Sequence, residues 1–375
     1  MKKILICSFN NISMDSRIKR YISSISGRYK IIVAGCEKSL QSFKNDFIFE
    51  DLHFYSKRKN KNIFEFINYN LFLKIKLYNL ICRHKPDIIH CNDFETLLPA
   101  YLAFHNKPNK IIYDSHDLWT ERIGVKRSLF HRLINYIDFL LERNITGRIF
   151  KTITVSDSIA DFLSVKYRMV KPVIIKNISD ESHTCESYAD LSGQLFKSIS
   201  GKLKFVYLGP ISEERNLPML IDSFIASHSK NSHLILIGKN YIRNYTSNES
   251  ITFIDEIPEE VIPIYLEKCD IGVHPMRTDN SLNHKFALPN KLFQYMQAGL
   301  ALLVFKNIET EKIINTHKNG YCIDFTDNNT IIQSINSIEN SDVSRMKQNS
   351  LKAFKSSYSW NEEKIKYLNV LDSIK

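Results

Sequence analysis

The sequence predicts an α/β protein built from two doubly wound domains, each a parallel sheet with helices between its strands. Three observations support this. The chain has 375 residues, and ~150 residues per domain gives two domains. Apolar runs of strand length alternate with stretches of helical spacing along most of the chain. Several of those runs end in polar residues, where doubly wound sheets present ligand-contacting side chains.

The first domain is expected over residues 1–180. Lys3 to Phe9 and Lys30 to Gly35 are apolar strands, and between them Met14, Ile18, Ile22 and Ile25 recur at helical spacing. The loop from Asn10 to Ser13 leads to Asp15, a candidate helix N-cap, and contains no GxGxxG fingerprint. Asp87 to Cys91 and Lys110 to Asp114 are strands followed by Asn92-Asp93-Phe94-Glu95 and Ser115-His116-Asp117. Lys151 to Val155 is a strand, Ser156 opens a helix, and Val173 to Ile175 is a short closing strand. Residues 179–201 are rich in Ser, Asp, Glu and Gly without a period and form the connection.

The second domain is expected over 201–358. Leu203 to Gly209 is a buried strand, followed by a polar turn and a helix from about Pro218. His233 to Gly238, Ile251 to Ile254 and Asp270 to His274 are further strands. His284 to Pro289 is expected as a loop, and Asn290 to Ala298 as a helix with Leu292, Phe293 and Met296 on one face. Gly299 suits the helix end, and Leu300 to Phe305 is a strand. A loop entering a helix N-terminus with a lysine in its first turn is a seat for a phosphate. An ordinary loop–helix–strand unit is the alternative. Tyr321 to Phe325 closes the sheet, and Ser359-Trp360-Asn361-Glu362 is a capping box. It starts a last helix, 359–375, with Ile365, Leu368 and Leu371 on one face.

Composition narrows the partners. Seven scattered cysteines with no CxxC pair argue against a zinc site or a disulfide framework and fit a reducing, cytoplasmic setting. The apolar run in MKKILICSFN is too short for a signal peptide, and no stretch approaches the ~18 apolar residues of a membrane span. Residues 1–180 hold 30 Lys and Arg against 17 Asp and Glu, whereas the rest of the chain is near neutral. That asymmetry points to an anionic partner. Two basic amphipathic stretches concentrate it. Residues 57–85 join Lys57, Arg58, Lys59 and Lys61 to Phe64, Phe66, Tyr69, Leu71, Phe72 and Leu77. Residues 126–143 join Lys126, Arg127, Arg132 and Arg143 to Leu129, Phe130, Leu133, Ile134, Ile137, Leu140 and Leu141. Most of each apolar face is expected to pack on the sheet, leaving a basic rim for an anionic membrane surface on the inner face of the cell membrane. No nucleic-acid module is present.

The run LPNKLFQYMQAGLALLV (288–304) resembles the donor-sugar segment of the family 4 glycosyltransferases, retaining enzymes of the GT-B fold. Met14-Asp15-Ser16-Arg17, Asp87 to Asp93, Lys110 to Asp117 and Asn319-Gly320 resemble further family segments. The resemblance implies two Rossmann-like domains facing a cleft, with the last helix returning to the first. It implies a nucleotide sugar, with a UDP or GDP base, as substrate and no metal or cofactor. Arg215 and Lys291 then hold the donor diphosphate as catalytic cations, with Gly209, Ile257, Pro258, Leu288, Pro289, Asn290 and Gln294 lining the donor site. Ile257-Pro258 is similar to the spot where the base rests, and Gln294 would bond the ribose. On the acceptor side stand Asn10, Asp93 and His116, the last also catalytic. The acceptor would be a glycan or a lipid-linked intermediate of a surface polysaccharide. The chain departs from the family at Gln294 and Phe286, where glutamates are usual, and at Pro210, where many members have Arg. These departures keep two alternatives open: a non-catalytic partner subunit and a nucleotide-sugar epimerase.

Overall fold

The computed structural model describes residues 1–36, 47–52, 63–121, 129–179, 196–276 and 281–374. The chain divides into two compact units, Met1–Asn177 together with Asn361–Lys375, and Ile178–Trp360.

The first unit opens with β1 (Lys3–Asn11), α1 (Ser16–Ile25), β2 (Lys30–Cys36) and β3 (Ile48–Asp51). It continues with α2 (Ile63–His84), β4 (Ile88–Asn92), α3 (Phe94–Ala103), β5 (Ile111–Asp114) and α4 (Leu129–Thr146). β6 (Lys151–Thr154), α5 (Asp157–Tyr167) and β7 (Val173–Ile174) complete the sheet, whose order is β3-β2-β1-β4-β5-β6-β7. Every pairing is parallel. A parallel sheet covered on its faces buries whole apolar runs rather than alternate residues, and Ile4, Leu5, Ile6 and Cys7 of β1 are all fully buried. Asp15 caps α1 as the sequence predicts, accepting from the Arg17 and Ile18 amides at 3.0 Å each.

The second unit has β8 (Leu203–Leu208), α6 (Leu217–Ala226), β9 (Ser232–Ile237), β10 (Ile251–Ile254), α7 (Ile262–Glu267) and β11 (Ile271–His274). Then come α8 (Leu282–Phe286), α9 (Asn290–Gln297), β12 (Ala301–Phe305), α10 (Ile308–His317), β13 (Gly320–Ile323), α11 (Asn328–Glu339) and α12 (Val343–Ser357). Its six parallel strands run in the order β10-β9-β8-β11-β12-β13. α13 (Trp360–Asp372) ends the chain, and from Asn361 onward it belongs to the first unit.

Three expectations change. The segment taken as a loop from His284 contains α8, and only 287–289 are non-helical before α9. On α13, Ile365 is exposed, and Tyr367, Val370 and Leu371 form the buried face. Tyr367 decides this, because its hydroxyl meets His90 Nδ1 at 2.9 Å and its ring lies 4.2 Å from that of Tyr21. Of the described apolar residues named for α4, only Leu141 packs on the core of the sheet. Leu129, Leu133, Ile134, Ile137 and Leu140 are exposed, and Leu141 is half-buried. α2 is divided: Leu73, Leu77, Leu80 and Ile81 enter the core, while Leu71, Phe72, Ile75 and Tyr78 face outward. Lys57, Arg58, Lys59, Lys61, Lys126 and Arg127 lie outside the described residues.

Candidate active site

Each sheet reverses its strand order once, and ligands of doubly wound sheets bind at the carboxyl ends beside that reversal. In the second unit it falls between β8 and β11. Gly209 follows β8, and His274 ends β11. Gly209 has φ +137° and Gly238, after β9, has φ +143°. A Cβ on Gly238 would lie 2.1 Å from the Gly209 carbonyl oxygen. Only glycine fits so close an approach of two backbones.

α9 is set over this point by Tyr295. Its ring rests on Gly272, where a Cβ would come within 2.2 Å of it. Its hydroxyl accepts from the Leu208 amide at 3.0 Å and donates to the Val273 carbonyl at 3.2 Å, tying the helix to the ends of β8 and β11. Lys291 is one turn earlier on the same helix face. The geometry brings its Cε to 3.9 Å from where a Gly209 Cβ would sit. Pro289, at the N-cap, makes no side-chain cap hydrogen bond.

Arg215 ends a short turn, Glu213–Arg215, after β8. It acts electrostatically on Lys291, and both act on His274, so the two cations are in electrostatic reach of each other. Burial, opposed by Glu259 and assisted by Arg215, lowers the Lys291 pKa. Burial and then the two cations drop His274 to about 3, so its imidazole is neutral. His274 stacks on Tyr207, with ring centroids 6.4 Å apart, and its Nδ1 has no partner among the described residues. Glu259, which follows Pro258, acts electrostatically on Lys291. No carboxylate forms an ion pair with Arg215 or Lys291 among the described residues. Two cations without ion pairs among the described residues, near a helix N-terminus and a backbone without side chains, are an arrangement that can accept an anion.

Leu288 is buried in the core, while Asn290 and Gln294 are half-buried. The Gln294 Oε1 is buried without a hydrogen-bond partner among the described residues. Phe286 is half-buried at the end of α8. Asn307 holds this approach in place, donating from Nδ2 to the His284 and Ala287 carbonyls at 2.8 and 2.9 Å. The sequence reading assigned no role to Asn307, Tyr295 or His274. His274 had a signal, a polar residue at a strand end, as at His116.

In the first unit the reversal falls between β1 and β4, and the three residues expected on the acceptor side meet there. Asn10 Nδ2 donates to Asp93 Oδ2 at 3.2 Å, and His116 Nε2 lies 3.6 Å from Asp93 Oδ1. Asp93 occupies the N-cap of α3 but forms no side-chain cap. Its backbone, at φ 65° and ψ 155°, turns the carboxylate toward Asn10 and His116 instead. That region is essentially reserved for glycine and stores ~1–3 kcal/mol of strain. Burial lowers the His116 pKa, but Asp93, Asp114 and Asp117 outweigh it and raise it. Among the described residues no group of three His, Cys, Asp or Glu lies close enough to hold a metal ion.

Beneath this group lies a buried ion pair not foreseen from the sequence. Arg17 donates from Nε to Asp114 Oδ2 at 2.7 Å and from a terminal nitrogen to Oδ1 at 3.0 Å, and Tyr21 donates to Asp114 at 2.9 Å. Arg17 also donates to the Ile175 carbonyl at 2.8 Å, fastening α1 to β5 and to the end of β7. Despite burial, Arg17 holds the Asp114 carboxyl below its usual range.

Two parallel sheets, each with a polar group at its reversal point, define a two-domain, doubly wound α/β protein. The comparisons agree. Over 99% of this chain and 98% of its own, sucrose-phosphate synthase from Thermosynechococcus elongatus superimposes with TM-score 0.76 at 9% identity. HepE from Anabaena, solved with UDP, does so with TM-score 0.74 at 14% identity over 99% of this chain and all of its own. WaaG, a glycosyltransferase of lipopolysaccharide biosynthesis, gives 0.70 at 13% over 97% and 99%. Comparison with curated protein sequences gives no match. Residues 195–353 match the model for glycosyl transferases group 1, and residues 32–182 match that for Glycosyltransferase Family 4. The chain is a family 4-type GT-B glycosyltransferase.

Proposed function

We propose that this enzyme moves a sugar, with retention, from a nucleotide-diphosphate sugar to an acceptor hydroxyl. The acceptor is a lipid-linked or surface-polysaccharide intermediate at the cytoplasmic face of a membrane. The observation that carries the proposal is Lys291 in the first turn of α9 beside Gly209, with Arg215 in electrostatic reach and neither cation in an ion pair among the described residues. Neighbours crystallised with UDP and UDP-glucose support the donor class, and WaaG's part in lipopolysaccharide biosynthesis supports the acceptor class.

Breaking the anomeric bond leaves negative charge on the diphosphate and positive charge on the sugar ring. Preorganised cations stabilise the first of these most as it develops. Arg215 grips phosphate oxygens in two-pronged fashion, Lys291 serves as a point charge, and the first amides of α9 complete the seat. The departing phosphate takes the acceptor proton on the same face, so no protein nucleophile is needed. Ile257 and Pro258 support the base, and Gln294 offers its unpartnered oxygen to the ribose. A neutral amide bonds about half as strongly as a carboxylate would, so donor affinity is reduced while chemistry persists. In the first unit, His116, held beside Asp93, contacts the acceptor.

The test is kinetic. Once a thermal-shift panel of nucleotide sugars has identified the donor, Arg215→Ala and Lys291→Ala should each cut turnover at least ~100-fold. Near-normal rates in both would remove the assignment. Failure of every UDP and GDP ligand to bind would favour a non-catalytic subunit, and donor turnover without acceptor would favour an epimerase.

A further inference from the structure

α4 faces the protein with Asn135, Asp138 and Glu142 beside Phe139, Leu141 and Ile145, and leaves a second apolar row outside. Asn135 Nδ2 donates to the Thr120 carbonyl at 2.9 Å, and Trp119 Nε1 donates to Asp138 at 2.9 Å. The Tyr113 and Tyr167 hydroxyls donate to the two oxygens of Glu142 at 2.7 and 2.6 Å. These bonds fix the rotation of the helix about its axis. That second row is therefore turned outward. Leu129, Leu133, Tyr136, Ile137 and Leu140, at i, i+4, i+7, i+8 and i+11, are between 36 and 81% exposed. A globular helix normally turns such a row inward.

The charges are sorted as well. Both carboxylates of the helix, Asp138 and Glu142, bond inward. Arg132, which is exposed, and Arg143 lie three residues on from Leu129 and Leu140, alongside the apolar row. An apolar stripe edged by arginines and free of acids matches an anionic lipid surface, where the stripe enters the acyl boundary and the cations meet headgroups. The net charge of residues 1–180 has the same sign.

We propose that α4 is a bilayer-docking helix lying in the plane of an anionic membrane, with Leu129, Leu133, Tyr136, Ile137 and Leu140 inserted. It differs from a basic rim acting alone, because insertion makes part of the binding independent of salt. It does not depend on the donor or on catalysis.

The experiment uses the full chain with vesicles of equal phosphatidylglycerol and phosphatidylcholine, and with phosphatidylcholine alone, and no substrate. Wild type should sediment with the anionic vesicles, and a salt-resistant fraction should remain at 1 M NaCl. Leu133→Asp with Leu140→Asp should cut partitioning at least ~10-fold with an unchanged melting temperature, since both sites are exposed. Arg132→Ala should cost roughly fivefold, at low salt only. Tyr136→Trp should show a blue-shifted emission on binding. Arg215→Ala should bind vesicles like wild type, which separates this test from that of the donor site. Vesicle binding insensitive to the double Asp substitution, or absent altogether, would overturn the proposal. So would a dimer in light scattering that the double substitution dissolves, because the stripe would then cover a second copy.

Discussion

The strain at Asp93 can be measured by comparing two substitutions. Asp93→Asn and Asp93→Gly both remove the carboxylate that faces His116 and Asn10, but only glycine relieves φ 65°, ψ 155°. That conformation costs ~1–3 kcal/mol for a residue with a Cβ. Glycine returns ~0.5–1 kcal/mol of this through the freedom it gains in the unfolded chain. With the middle of each range, the glycine variant should therefore be about 1 kcal/mol more stable than the asparagine variant. For a unit of about 190 residues, at ~2–4 °C per kcal/mol, that is a gap of about 2–4 °C in the first unit's melting temperature. Calorimetry reads the gap. In both variants His116 should titrate lower, because Asp93 is the foremost of the charges that raise it, and NMR of the ring protons reads that shift. Turnover should fall in both. A glycine variant melting at or below the asparagine variant would refute the claim of strain, and an unmoved His116 would refute the electrostatic pairing.

Three further outcomes are expected. Burial, partly offset by hydrogen bonds from Tyr167 and Tyr113, raises Glu142 from 4.5 to about 7. Because the folded state holds this proton more tightly, the group's contribution is largest below pH 4.5 and declines until pH passes about 7, by about 3 kcal/mol in all. Glu142→Gln should lack that decline, and urea midpoints at pH 5 and pH 8, taken as the difference from wild type, check it. Gln294→Glu should tighten UDP binding roughly fivefold by replacing a neutral acceptor with a charged one, and calorimetric titration giving weaker binding would count against a ribose contact. Gly238→Ala should destabilise the second unit by at least ~1–3 kcal/mol, since its Cβ would press on the Gly209 carbonyl, and a thermal melt equal to wild type would contradict that geometry.

Local features were legible in the sequence, and long-range pairings were not. The apolar runs at Lys3, Lys30 and Leu203 announced strands because a parallel sheet buries every residue of a run. Asp15 announced a helix start because its carboxylate serves the next turn. The LPNK segment announced the start of α9 with Lys291 in its first turn. Spacing alone could not orient α4, since amphipathicity has the same period whichever face points inward. The choice is made by Tyr113, Trp119, Thr120 and Tyr167, which come from elsewhere in the sequence and offer partners to Asn135, Asp138 and Glu142. Arg17 and Asp114 are 97 residues apart, and nothing near either predicts the other. Ile365 and Tyr367 are both apolar enough for a core, and only the presence of His90 and Tyr21 selects the tyrosine. Asp93 is unremarkable as a letter, and its backbone angle exists only because β4 must hand its chain to α3 beside β5.

The closing segment from Asn361 has a consequence for how the protein is made. Tyr367 and Leu371 fill the interior of a sheet whose last strand ends at Ile174. A nascent chain therefore emerges with that interior incomplete while Ile178–Trp360 is being synthesised. At ~5–20 residues per second the delay is about 10–40 s, during which the apolar surface meant for the last helix is open to chaperones. A premature stop near residue 360 would thus damage the part of the protein translated first, and leave the part translated second intact.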